Sequence, residues 1–277
     1  MRETEPAASP LQKLTASILD SARYRTLCPD VVARIGAIEL AKRKTWKEAE
    51  KETRNRLHQI GGAYLDHRPP YGRWLEDLGA APDSEAYLAH LRRMMLAHAS
   101  TRERLPYLDT FYFQTLGAIR PIRSVVDVAC GFNPLALPWM GLEPGAAYQG
   151  YDLFSDMAAF TADSLRASVF GPPCDAVVST RDVAPAPPDT LADLALILKF
   201  LPLLEQTGTT ETVRWLKGLR TRHALVSFPT RTLSGRNVGM ATAYEARFRE
   251  VLRLGGWHAE RREIGSELCF LVQLGGG

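Results

Sequence analysis

Apolar residues recur at helical spacing through the first part of the chain. Leu11, Leu14 and Ile18 share one face of a helix predicted over Leu11 to Ala22. Pro29-Asp30 opens a second run, Val31 to Leu40. Thr45 stands as the N-cap of a third helix, Trp46 to Ile60, which Gly61-Gly62 stops. Asp66 to Asp83 reads as loop-rich, because it holds Pro69-Pro70, Gly72, Gly79 and Pro82. Ser84 reads as the cap of a helix running through His98, and a further helix spans Arg102 to Leu116. Ser100 or Thr101 with Glu103 has the form of an N-cap arrangement, and the same turn could bring Arg104 to an α-carboxylate.

Beyond Gly117 the period changes. β-branched and apolar runs predict strands at Ser124–Ala129, Ala147–Tyr151, Asp175–Val178, Leu191–Leu198, His223–Phe228 and Glu267–Val272. Helical signals lie between them, at Phe154–Val169, Glu211–Leu219 and Ala243–Leu254. This alternation implies an α/β fold, a parallel sheet covered on both faces. Glu260 to Leu274 could instead close the sheet as an antiparallel hairpin. The expected organisation is a disordered tail at 1–10, an N-terminal helical domain at 11–117 and a sheet domain at 118–277.

Composition narrows the class. The 277 residues are 45% hydrophobic and 23% charged, as in ordinary globular proteins. No apolar run is long enough to span a membrane and no signal peptide is evident, so a cytoplasmic protein is expected. Cys28, Cys130, Cys174 and Cys269 form no C-x-x-C pair, which argues against disulfides and zinc. Charge is uneven. Through Arg123 there are 20 Lys and Arg against 15 Asp and Glu, and beyond it 14 against 16. The densest basic cluster is Lys42, Arg43, Lys44, Lys47, Lys51, Arg54 and Arg56. It suits an anionic partner such as nucleic acid. It also suits a solvated helix face, since Glu48, Glu50 and Glu52 interleave with it.

The candidate chemistry sits at strand ends. Ser124-Val-Val-Asp127-Val-Ala-Cys-Gly131-Phe-Asn-Pro134 brings a strand into a small-residue turn, where backbone N–H groups can approach a ligand closely. No Gly-Lys-Ser/Thr follows, so it is not a P-loop. It looks like the acid-x-Gly-x-Gly turn of S-adenosylmethionine (SAM) methyltransferases, with Ala129 at the first glycine. Asp127, Asp152 and Asp182 close three successive strands, which points to a nucleoside ligand. The second acid is placed for ribose hydroxyls and the third for adenine, beside Val183. Lys199 ends a near-continuous apolar strand, where it could snorkel or meet a phosphate. Arg231 and Arg236 lie in a loop after the fifth strand and suit phosphate contact. Cys130 reads as a packing residue.

Several longer runs resemble the aminoglycoside-resistance 16S rRNA methyltransferases, the Arm/Rmt/Sgm/Kgm family, whose members modify N7 of guanine 1405. They are Tyr24 to Pro29, Arg56 to Tyr64, His98 to Leu105, Asp127 to Leu135, Leu198 to Glu205 and Ser227 to Arg236. The resemblance implies a Rossmann-like SAM-dependent sheet and an N-terminal helical domain that docks on 16S rRNA in the assembled 30S subunit. It implies a cofactor site lined by Tyr64, His98, Ala99, Ser100, Arg104, Ala129, Gly131, Asp152, Leu153, Asp182, Val183 and Leu198. Lys199, Arg236, Met240 and Glu267 would surround the target base, with Lys42, Arg43, Lys44, Lys47, Arg54, Arg231 and Arg236 on RNA. Resistance to kanamycin- and gentamicin-type drugs and a monomeric state are the corresponding expectations. Two other readings stay open: an adenine-N1 16S rRNA methyltransferase, and a noncatalytic RNA-binding protein with a degenerate methyltransferase fold.

Overall fold

The computed structural model describes residues 8–62, 69–172, 174–204, 208–230 and 239–275. Tyr64, Arg231 and Arg236 lie outside the described residues. The helical part comprises α1 (Pro10–Leu19), α2 (Pro29–Lys42), α3 (Trp46–Leu57), α4 (Tyr71–Gly79), α5 (Ser84–Met95), α6 (Ala99–Arg104) and α7 (Leu108–Leu116). Strands and helices then alternate: β1 (Ser124–Val128), α8 (Leu137–Met140), β2 (Ala146–Asp152), α9 (Ser155–Ser164), β3 (Cys174–Thr180) and β4 (Ala192–Leu198). The chain continues through α10 (Leu201–Leu204), α11 (Thr209–Lys217), β5 (Thr221–Pro229), α12 (Met240–Gly255), β6 (His258–Ile264) and β7 (Glu267–Gln273).

Several boundaries have clear local causes. Ser9 caps α1 in a capping box with Gln12, and Pro10 occupies the first turn, so the helix begins inside the expected tail. Thr45 caps α3 as expected, and Glu48 completes a capping box with it. Beyond Leu57 that helix widens into a π-helical turn, His58–Gly62. At α5 the cap is Asp83, not Ser84: its carboxylate accepts from the Ala86 N–H at 2.8 Å. Ser100 and Thr101 do not cap either. His98 is the N-cap of α6, and the Thr101 hydroxyl donates back to the Met95 carbonyl. The expected helix from Arg102 is therefore two pieces, broken at Leu105-Pro106.

The segment expected to be loop-rich, Asp66–Asp83, contains α4. Pro69 and Pro70 precede the helix and Pro82 follows it, so none interrupts it. Tyr71, Trp74, Leu75 and Leu78 fall on one helical face and pack on the core. Tyr71 stacks on Phe160 of α9 with centroids 4.5 Å apart, and Trp74 meets Phe132 edge-on.

The seven-stranded sheet has the order β3-β2-β1-β4-β5-β7-β6. Every pairing from β3 to β5 is parallel, and β7 is antiparallel to both neighbours. The terminal hairpin is thus the second of the two endings considered. Strand β4 is buried on both faces, as its continuous apolar run requires. One hydrophobic core lies on each face. The first joins α1, α2, α5 and α7 to β1, β2 and α9 without a gap, and the second packs α11 and α12 on β4, β5 and β7. Strand order reverses between β1 and β4, so a crevice opens at their carboxyl ends.

The shared core predicts joint unfolding. Phe160→Ala should remove about 3 kcal/mol, the usual cost of a buried aromatic truncation. In urea, far-UV circular dichroism and tryptophan fluorescence should give one coincident transition at a lower midpoint. Two separate transitions would show that the helices and the sheet fold independently.

Candidate active site

The crevice is built first from backbone. After β1 the chain turns through Ala129 and Gly131, both left-handed at φ 52°. A β-carbon at Gly131 would lie 2.8 Å from the His98 ring, so only glycine fits there. The Cys130 N–H donates to the Tyr151 carbonyl, and the Gly131 N–H donates to Asp152 Oδ2, both at 2.8 Å. The first turn is therefore fastened to the end of β2. Asp152 Oδ1 accepts from the N–H groups of Leu153 and Phe154. Burial raises the Asp152 carboxyl above its ordinary value, and these three N–H groups oppose that.

Asp127 is buried one strand over. Its Oδ2 accepts from Tyr148 Oη at 2.5 Å and from Asn133 Nδ2 at 2.7 Å, while Oδ1 is buried with no hydrogen-bond partner among the described residues. Burial is the main reason that its carboxyl rises to about 6. Asp182 lies beyond β3, beside buried Val183, whose carbonyl accepts from the Trp215 indole at 2.9 Å. The three acids expected at strand ends thus share one carboxyl edge. Asp152, Leu153, Asp182 and Val183 line a cleft of about 940 Å³ between that edge and helices α2 and α3. A smaller recess of about 70 Å³ continues from Ala129 inward past His98, Ser100, Arg104 and Lys199.

The recess is floored by a buried charge cluster. Arg104 donates through Nε and Nη2 to the two oxygens of Glu267, at 2.8 and 2.9 Å. Its Nη1 donates to Asn133 Oδ1 at 2.8 Å. The side chains are 1% and 0% exposed. Burial would raise the Glu267 carboxyl, but the charges of Arg104 and Lys199 hold it below the ordinary carboxylate range. Lys199 is left-handed at φ 59°, which aims its ammonium inward onto Glu103 at 2.6 Å and toward Glu267 at 3.7 Å. Burial, then the Lys199 charge, pushes the His98 imidazole down to about 3, so it is neutral. Burial raises the Cys130 thiol well above its usual value, which leaves no thiolate nucleophile.

The structure brings His98, Ala99, Ser100, Arg104, Ala129, Gly131, Asp152, Leu153, Asp182, Val183 and Leu198 to this one edge. Lys199 and Glu267 join them from below, and Met240 opens α12 as its first residue, half-buried. In the basic cluster, Lys42, Lys44 and Lys47 are exposed. Arg43 pairs with Glu39 at 2.9 Å. Arg54 is turned inward onto Glu50 and the Ser17 carbonyl. Its guanidinium is engaged in holding α1 to α3. Sequence reasoning missed Asn133 and Tyr148 as partners of Asp127, and Ser227 as a donor to Glu267. Register was the available signal: Tyr148 lies two residues before Gly150, which pairs with Asp127.

A sheet of this order, with acids at its first three strand ends beside a glycine turn, defines a SAM-dependent methyltransferase. The chain belongs to the FmrO family of ribosomal RNA methyltransferases, whose model matches residues 20–271. It is 37% identical over 268 residues to a 16S rRNA (guanine(1405)-N(7))-methyltransferase of Frankia casuarinae, covering 95% of this chain and 93% of that one. It is 38% identical to the Serratia marcescens enzyme of the same name, covering 94% and 97%. Among solved structures, the 16S rRNA methyltransferase RmtF in complex with S-adenosyl-L-homocysteine superposes with a TM-score of 0.80 at 31% identity, over 97% of this chain and 99% of that one. The 16S rRNA methylase RmtB gives 0.73 at 34%, with the same coverage. The residues fit SAM. The unpartnered Asp127 oxygen offers an acceptor to a cation in the recess, and Ala129 lines both the recess and the larger cleft, so the two are continuous.

Asp127 yields a pH test. Its carboxyl is raised in the free protein, and a cationic ligand in the recess would lower it. The bound form then favours the ionised acid. Affinity for SAM should be full above about pH 6 and fall as pH drops through that value. Calorimetry in buffers of differing ionisation enthalpy should record proton release near pH 6. Asp127→Asn should abolish that release.

Proposed function

We propose that this protein is a 16S rRNA (guanine(1405)-N(7))-methyltransferase acting on the assembled 30S subunit. The observation that carries this reading is the match to enzymes of that name along nearly the whole chain, with the cofactor crevice intact. The product would remove a major-groove acceptor from guanine and add bulk and positive charge. A cationic aminoglycoside would lose a partner and meet repulsion, giving resistance to kanamycin- and gentamicin-type drugs. We read the helices through 117 as the docking part, a monomer as the working form and the cytoplasm as its place. Among the described residues no helix is long and apolar enough to cross a membrane. The exposed Lys42, Lys44 and Lys47 are the side chains we assign to RNA phosphates there.

Mechanism follows from what the site offers. Guanine N7 has an in-plane lone pair and no proton to remove, so no general base is required. The cofactor supplies a methyl group already activated by its sulfonium. This chain's residues bind, orient and hold charge. Asp152 fixes the glycine turn, Asp127 presents an acceptor, and Glu103 and Glu267 hold the Lys199 ammonium at the end of β4. Positioning of this kind can account for several orders of magnitude in rate. We assign Lys199, Arg236 and Met240 to the target base and its flanking phosphates.

Label from methyl-tritiated SAM should pass to 30S subunits more readily than to free 16S rRNA. Borohydride and aniline should then cleave the RNA at guanine 1405, the signature of an N7-methylated purine. A primer-extension stop at an adenine without cleavage would favour the N1 reading, and no transfer to either substrate would favour a noncatalytic protein. Lys199→Ala should lower transfer about 10-fold or more while calorimetric SAM affinity survives. An equal fall in affinity would contradict a role on RNA.

A further inference from the structure

The acid expected at the adenine end of the cleft is not free to choose its own geometry. The Asp182 side chain is 5% exposed, and both of its oxygens are engaged. Oδ1 accepts from the Ala184 N–H at 3.1 Å, within its own loop. Oδ2 accepts from Arg34 Nε at 2.7 Å, and Arg34 lies in the middle of α2. The donor thus comes from the helical part, 148 residues away in sequence. The loop behind the other cofactor acid is held from the same segment. Just before α2, the Cys28 N–H donates to the Leu153 carbonyl and the Ser155 N–H donates to the Thr26 carbonyl, both at 2.7 Å. Leu153 directly follows Asp152. Ile35 and Ile38 of α2 line the same cleft as the two acids.

We propose that Arg34 is a positioning residue for the cofactor, holding the Asp182 carboxylate where it accepts from the adenine amine. The proposal rests on the reading of Asp182 as the adenine-side acid. Without Arg34 the carboxylate keeps one local N–H donor and can rotate toward water. A fixed carboxylate favours an amine and repels a carbonyl oxygen at the same place, so it also sets selectivity for adenine over hypoxanthine. Arg34 further makes the cofactor site a joint product of α2 and the sheet. The exposed Lys42 closes α2 about two turns along from it, and Lys44 lies just beyond the helix.

The test is calorimetric titration of the full chain with S-adenosylhomocysteine and with its inosyl analogue, which carries a carbonyl oxygen in place of the exocyclic amine. Arg34→Ala should weaken adenosyl binding about 10-fold, the scale of a lost charge-assisted hydrogen bond. It should also shrink the adenosyl-to-inosyl preference. Arg34→Lys should recover part of both. Asp182→Ala should lose the preference outright, and adding Arg34→Ala to it should cost little more. A general loss of fold would lower both affinities together and leave their ratio alone, so an unchanged ratio in Arg34→Ala overturns the proposal. Wild-type affinity in Arg34→Ala overturns it as well. If Asp182→Ala itself keeps both affinity and preference, the adenine-side reading fails, and the role of Arg34 with it.

Discussion

The bidentate pair between Arg104 and Glu267 is the constraint on which the site depends. Both groups are buried, and removing two charges from water costs several kcal/mol each. Such a pair persists only with good geometry and satisfied neighbours. Here the two guanidinium donors meet both carboxylate oxygens, Asn133 and Ser227 take further valences, and the Phe111 ring lies 4.5 Å from the guanidinium carbon. Arg104 ends α6 in the helical part, and Glu267 begins β7 in the last hairpin. The pair therefore fastens the first third of the chain to its final strand. Loss of one partner would leave a buried charge alone, at a cost of about 3–5 kcal/mol.

The rest of the crevice is arranged around that pair. Asn133 accepts from Arg104 and donates to Asp127, so the floor of the recess and the first strand end form one hydrogen-bonded unit. Lys199 is held from the other side by Glu103 and Glu267. Apart from Asp127, which a bound cation keeps ionised, these groups are poor proton carriers. Glu267 is held ionised, His98 is held neutral, and the Tyr148 and Cys130 protons are held tightly by burial. The site presents fixed charges and oriented donors. That inventory suits a nucleophile with a free lone pair, and it is poorly suited to a reaction that must first remove a proton.

Much of this was legible in sequence because short-range physics decided it. The β-branched run at Ser124 to Val128, the continuous apolar run at Ala192 to Leu198 and the acids after three strands each follow from local patterning. The Thr45 cap depends only on residues within one turn of α3. The failures involve competition. Pro69-Pro70 and Gly79 hid the helical spacing of Tyr71, Trp74 and Leu78. Asp83 and Ser84 are comparable caps by residue type, and the helix starts one residue earlier than expected, on Asp83. Long-range pairings were the least legible. The motif match placed Glu267 at the target base, whereas the folded chain buries it under Arg104 and Lys199. That placement makes it a residue acting through its neighbours. Nothing near Arg34 in sequence announces its partner 148 residues later.

The central claim is that this site works by fixed charge and position, without moving a proton. The most direct measurement is the single-turnover rate of methyl transfer from the preformed ternary complex, followed across pH. The account predicts a flat profile from about pH 7 to 9, because no group in the crevice changes its protonation state on the reaction path there. A rate that climbs tenfold per pH unit and then levels off at a pKa would reveal a catalytic base and contradict the account.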